Sequence, residues 1–508
     1  MNTTEHTPSN IPASTLLLIF CAMHLVIWLL VPAIFNQNLP LDVIEELTWG
    51  REWQLGYDKH PPMSAWLKEI TAFLTFRSDW GQYLLSQLCI TTAFFMMWKL
   101  ARNFVGPVES LVSVLLLETI YFHNFTSPEF NVNISLLLFW ALSITAFWKA
   151  LTEKQLRYWI MAGAFASGMF YSKYLSAYLI ASLFLYLLFS THGRESLKSK
   201  GLYIGIAVFL LLITPHIIWM FHNDFITIQY GLNRASSETP DFIGRHVINP
   251  LKYLVAFLLA LIPLLLLARS LGKLTLQDRS ADSDGAKFIL FISFVPLLLT
   301  LATALFFGFR LRTMWSTPYF LSFGLLVVYF LRPHIELHRL KRFGVYFALI
   351  AMTYPILYAT IQHLAPSIKH DGKRTHFPGD TLAMQVTETW NSKFDKPLRF
   401  VIGDPWTAGN IAWYAQERPS VYLNGDHWRS PWVSDRDIRR NGAVITWDKG
   451  TEDNQHSLIS NSKLAEWKSR FGTVEMQPPL LLAWKTEFEI PGKVVGWAII
   501  PPEKTVHD

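Results

Sequence analysis

The sequence predicts a mainly α-helical, polytopic transmembrane bundle followed by a small extracytoplasmic α/β domain. Three observations carry this. Apolar runs of roughly 18 to 22 residues recur through positions 1–363, each long enough to cross the ~30 Å hydrocarbon core of a bilayer. Only 16% of the 508 residues are charged, while 51% are hydrophobic and 15% aromatic; soluble domains carry about 25% charged residues. Past position 363 the composition turns polar and rich in Gly, Pro and Trp.

The apolar runs resolve into about eleven spans: 12–34, 82–101, 108–125, 131–149, 157–173, 174–190, 202–221, 250–268, 287–307, 314–331 and 343–363. The fifth and sixth are nearly continuous through Ser172-Lys173-Tyr174. Residues 1–10 carry no Lys or Arg, and no small-residue cleavage site follows the first run, so that run reads as a retained span. Basic residues concentrate in alternate short loops, among them Lys99 and Arg102, Lys149 and Lys154, Arg194 and Lys198, Arg269 and Arg279, and Arg332 and Arg342. By the positive-inside rule these loops and the N-terminus are cytoplasmic. The loop 35–80 and the C-terminal region 364–508 then fall outside, in the periplasm for a bacterial inner-membrane protein. The +6 formal charge is spread over these loops, so it gives no nucleic-acid surface. Cys21 and Cys89 lie inside apolar runs, which excludes a disulfide framework.

In the C-terminal region, short β-type runs at 398–402, 442–446, 480–484 and 494–500 are bounded by turn residues, the pattern of a small α/β domain. No internal repeat is visible.

The first outer loop is the most informative segment. Leu41-Asp42-Val43-Ile44-Glu45-Glu46 sets an acidic cluster just beyond a span, and Gly56-Tyr57-Asp58-Lys59-His60-Pro61-Pro62 follows. A transfer reaction needs a carboxylate base toward an acceptor hydroxyl and donors aimed at the charge that develops on a leaving phosphate. Asp42 is the candidate base; Lys59 and His60 are candidates for phosphate contact, and a solvated amphipathic loop accounts for the same residues. Downstream, Glu129 and Asn131 stand at the mouth of a span, where an interfacial cap is the plain alternative. Lys173 and Tyr174 sit between two spans, and a snorkelling lysine is the plain reading there. His222 and Asp224 open the large loop 222–249, where ordering of that loop explains them as well. Arg310, Arg312 and Trp315 stand on the expected outer face against the positive-inside bias, and an anionic ligand would account for the two arginines.

These segments, in this order, resemble the type C membrane glycosyltransferases of family 39, the protein-mannosyltransferase-like and aminoarabinose-transferase-like enzymes. Bacterial members commonly pair Asp with Glu, then carry Gly-Tyr-x-x-His-Pro-Pro; here Asp42 matches and Val43 stands in place of the Glu. Glu129 falls at the family's second acidic position, Lys173-Tyr174 at its Lys-Tyr pair, and Arg310 to Trp315 at its basic-then-Trp entry to a late span. The resemblance runs from about Asp42 to Trp447. It implies a type C fold, with a transmembrane domain at 1–363 and a periplasmic domain at 364–508. It also implies inverting transfer of a sugar from polyprenyl phosphate to an extracytoplasmic acceptor such as lipid A or another surface glycan. In that chemistry Asp42 and Glu129 are the catalytic carboxylates. Lys59, His60, Lys173, Arg310 and Arg312 face the donor phosphate. Glu45, Glu46, Tyr57, Asn131, Tyr174, His222, Asp224 and Trp315 contact substrate. No obligatory cofactor is expected, and a divalent metal stays open because no ligand spacing is recognisable. The alternatives are a lipid-linked-sugar flippase, a protein O-glycosyltransferase, or a lapsed homologue that only binds glycolipid.

Overall fold

The computed structural model describes residues 11–236, 241–276, 283–331, 337–454 and 461–503. Arg279, Arg332 and residues 1–10, used above for orientation and leader signals, lie outside them. Among the described residues, eight helices are long and apolar enough to cross a membrane: Ala13–Phe35, Asp79–Ala101, Val132–Glu153, Lys200–His222, Gly244–Arg269, Ser283–Phe307, Thr313–Phe330 and Arg339–Lys369. The other three expected spans are shorter helices, Pro107–Leu115, Leu156–Ser172 and Ser176–Phe189.

The first of these three stops early because the chain tightens into single 3-10 turns at Leu116–Thr119 and Tyr121–His123. Irregular backbone at membrane depth survives only where protein satisfies its polar groups. Here His123 reaches the Leu117 and Thr317 carbonyls at 3.3 and 3.2 Å, and Asn124 donates to the Glu118 carbonyl. Glu118 itself meets His24 of the first span at 2.8 Å, fully inside the bundle. The last long helix closes the bundle against the first, with Asn36 exchanging hydrogen bonds with Tyr358 at 2.9 and 3.0 Å.

The C-terminal domain holds one sheet of six strands: β1 Phe400–Gly403, β2 Ser420–Leu423, β3 Ala443–Thr451, β4 Glu475–Met476, β5 Leu480–Leu482 and β6 Lys493–Ile500. β2, β1 and β3 are parallel neighbours in that order. β6 runs antiparallel to β3 and carries β4 and β5 on its far side. Both faces are covered, which is why β1 reads as an unbroken apolar run. The helix Thr407–Tyr414 packs Ala408 and Ile411 on the Val401, Val421 and Val444 face. The helix Asp435–Asn441 packs Ile438 on the Ile402, Tyr422 and Ile445 face.

This domain is clamped to the first loop. Its helix Thr407–Tyr414 crosses the helix Leu41–Gly50 so closely that a Cβ on Gly409 would stand 2.7 Å from the Ile44 side chain. Asn38 donates to Asn410 at 2.9 Å, Trp413 and Tyr414 donate to the Asp79 carboxylate at 2.8 and 2.7 Å, and Arg418 grips Glu69 with two bonds of 2.7 and 2.9 Å.

Candidate active site

The helix Leu41–Gly50 begins directly after Pro40, which stands at its N-cap in extended backbone. Asp42 sits in its first turn, where the helix dipole favours a carboxylate. Glu45 and Glu46 follow three and four residues on, so all three carboxylates share one face. That face forms the wall of a cavity of about 500 Å³, lined also by Lys59, His60, Glu129, Asn131, Lys173, Tyr174, Arg312 and Trp315.

Each partner is placed by a local device. Tyr57 N–H donates to the His60 carbonyl at 3.0 Å, closing the turn that aims Lys59 at Glu45, 2.5 Å away. Pro61 and Pro62 then launch the helix Met63–Leu74, which brings Lys68 in beneath the acidic helix. Lys68 is fully buried; it donates to the Asp42 carbonyl at 2.9 Å and pairs with Glu46 at 3.0 Å. Glu129 accepts the Asp42 amide N–H at 3.1 Å, so it caps the acidic helix. Asn131 caps the helix Val132–Glu153 and holds its amide 3.5 Å from the Asp42 carboxylate. Lys173, in the break between two short helices, donates to Asn133 at 2.7 Å and lies 5.1 Å over the Trp315 ring. Tyr174 bonds His216 at 2.8 Å and Thr227 at 2.7 Å. Arg312 stands near Arg234 and Arg310, whose like charges oppose its own after burial does.

Burial dominates the electrostatics. It pushes the Glu46 carboxyl up to about 7 against the pull of Lys68. Burial, then the Asp42 charge, pushes Glu129 up to about 7. Burial raises Glu45 and lowers Lys68. It also works against the Lys59 charge, but there Glu45 outweighs it and holds the ammonium above its usual range. Burial and then the charges of Lys173, Lys59 and Lys68 push His60 down to about 3.

Eleven of the fifteen residues singled out in the sequence therefore line one cavity. The other four do not line it. Tyr57 is 1% exposed and stacks on Trp49 at 5.4 Å, so it supports the loop rather than the cavity. His222 is exposed and bonds its own helix at the Ile218 carbonyl, 2.9 Å away. Asp224 is exposed, with φ of 48°, and shapes the turn that follows. Arg310 is exposed beside the cavity, with its backbone N–H on the Ala235 carbonyl at 2.7 Å. His60 does line the cavity, but as a neutral imidazole and not as a cation. The sequence reading missed Lys68, Arg234 and Arg374. Arg374 is a C-terminal-domain residue that reaches the same cavity. Among the described residues, no group of three His, Cys, Asp or Glu side chains is placed to hold a metal ion.

The structure aligns with ArnT from Cupriavidus metallidurans bound to undecaprenyl phosphate, with a TM-score of 0.60, 12% identity and coverage of 96% of this chain and 98% of that one. The apo state of the same protein gives a TM-score of 0.56. The fold is thus that of the type C membrane glycosyltransferases. The family model for dolichyl-phosphate-mannose-protein mannosyltransferase matches residues 59–219. The chain is 22% identical over 286 residues to the lipid A galacturonosyltransferase RgtD of Rhizobium johnstonii, a likeness spanning 56% of this chain and 58% of that relative.

Two predictions follow from the buried charges. Lys68→Met strands Glu46 without its partner and should cost about 3–5 kcal/mol of stability. Melts in detergent across a pH series check it: without the pull of Lys68, Glu46 takes a proton more readily, so the loss should grow as pH rises, and adding Glu46→Gln should restore most of it. His60 is neutral in the fold down to about 3, whereas a free imidazole protonates near 6.5. The unfolded chain therefore binds the extra proton between those values, and the His60 contribution is lost as pH falls through that window. Glu46 and Glu129 act in the opposite sense from about 4.5 to about 7. The stability difference between wild type and His60→Gln isolates the histidine: it should shrink on acidification below about 6.5, and a flat difference would refute a neutral His60.

Proposed function

We propose that the protein transfers a sugar from a polyprenyl-phosphate donor to a glycolipid acceptor at the outer face of the bacterial inner membrane. The C-terminal domain then stands in the periplasm. The observation that carries this reading is one cavity lined by Asp42 together with Lys173, Arg234 and Arg312. A leaving lipid phosphate needs those cations, and an acceptor hydroxyl needs that carboxylate. The curated relative named above acts on lipid A, which supports a lipid A-type acceptor.

In this mechanism the acceptor hydroxyl gives its proton to Asp42. Its oxygen attacks the anomeric carbon from the face opposite the phosphate, and the carbon–oxygen bond to phosphate breaks with its electron pair on the leaving oxygen. One displacement inverts the anomeric centre. Lys173, Arg234 and Arg312 hold the phosphate as charge builds on it, in a site where buried charges interact strongly. Glu129 is a positioning residue: through the Asp42 amide it fixes where the base points. Glu45 and Glu46 are tied to Lys59 and Lys68, so neither acts as the second carboxylate that Val43 replaces. The cavity's charges stand at the ends of helices and in the loops between them, which favours transfer over carriage through the midplane.

Asp42→Asn should lower transfer of polyprenyl-linked sugar in membranes by about 10²–10⁴-fold, the range for loss of a general base. Full activity would remove Asp42 from the mechanism. We further propose that no divalent metal is obligatory, with side-chain cations neutralising the phosphate. Transfer should then persist in excess EDTA; loss on chelation and recovery with a divalent ion would overturn this.

A further inference from the structure

The C-terminal domain contains a second cavity, of about 680 Å³, with no role in the chemistry above. It opens where the parallel strands end. The connection from β1 to β2 runs over one face of the sheet and that from β2 to β3 over the other, so strand order reverses between β1 and β3. Ligands of open α/β sheets bind in the crevice beyond the carboxyl ends of the strands at such a point. Here the crevice is floored by Gly403 and Thr446 and walled by Trp406 and Trp484 on one side and Trp447 and Trp467 on the other.

Trp447 and Trp467 are 8% and 4% exposed, and their indole N–H groups are closed off from the open space. Trp406 and Trp484 are only half-buried, and these two rings offer the cleft its aromatic surface. A nucleotide or other phosphate fits poorly. The anion site of this fold is the N-terminus of the helix after β1, and here the Asp404 carboxylate already fills it, accepting from the Trp406 and Thr407 amides at 2.8 and 3.0 Å. The lining cations Arg374, Lys463 and Lys493 are matched by Asp371, Asp404 and Asp448, which leaves no net charge for an anion. Indole faces and no net charge suit a neutral, polyhydroxylated ligand whose apolar C–H face stacks on the rings.

We infer that this cleft is a saccharide-binding site that holds sugar residues of the acceptor while another part of it is presented to Asp42. Arg374 lines both cavities, with its guanidinium 5.8 Å from the Trp406 ring centre, so the two sites adjoin. The acceptor assignment rests on the transferase reading; binding of a saccharide does not.

The test uses the full chain as Asp42→Asn in nanodiscs, so that nothing turns over. The probes are neutral di- and trisaccharides and the deacylated, N-acetylated β-1,6-linked glucosamine disaccharide. Saturation-transfer NMR should show contact with sugar C–H protons for at least one of them. Trp406→Leu and Trp484→Leu keep apolar bulk and remove the aromatic face; each should weaken binding about five-fold, with the melting temperature reporting that the domain stays folded. No saturation transfer from any sugar, unchanged affinity in both Leu variants, or tight binding of inorganic phosphate or AMP in this cleft would each overturn the site. Sugar binding in a protein whose wild-type form transfers nothing would uphold the site and remove only its assignment to the acceptor.

Discussion

A single buried ammonium organises this protein's working face. Lys68 is wholly enclosed, and a buried charge is tolerable only when paired and hydrogen-bonded. Its partners are Glu46 and the Asp42 carbonyl, both on the acidic helix. It therefore fixes the distance and roll of Leu41–Gly50 against Met63–Leu74. That roll turns Asp42 and Glu45 toward the cavity. Glu129 and Asn131 then fasten the same helix from the bundle side, at the Asp42 amide and carboxylate. The candidate base is thus held at three points by residues far apart in the chain.

The long apolar helices were plain in the sequence because bilayer crossing imposes a length and a composition that no other constraint imitates. The break after Leu115 was not, because what replaces the missing helical bonds is supplied by His123 and Asn124, whose partners only the fold reveals. Four of the six strands stood out as apolar runs. Ser420–Leu423 and Glu475–Met476 did not, being too short for a period to register.

At the site, residues flanking the span ends were legible: a charge at a membrane boundary is costly enough to be noticed. Lys68 was not, since a lysine inside an amphipathic segment looks like any solvated one. Arg374 comes from the C-terminal domain and no local pattern aims it at the first loop. Tyr57 misled because a Gly-Tyr turn beside charged residues resembles a binding loop, whereas its ring fills the space against Trp49 and Trp432.

The clamp between the first loop and the C-terminal domain constrains how such a chain can change. Asn38, Asp58, Glu69 and Asp79 each bond a side chain beyond position 400, and Gly409 leaves no room for a side chain against Ile44. A bundle grafted onto a foreign tail would carry four orphaned sockets and a mismatched helix crossing. The two halves should be inherited, and recombined, only as a matched set.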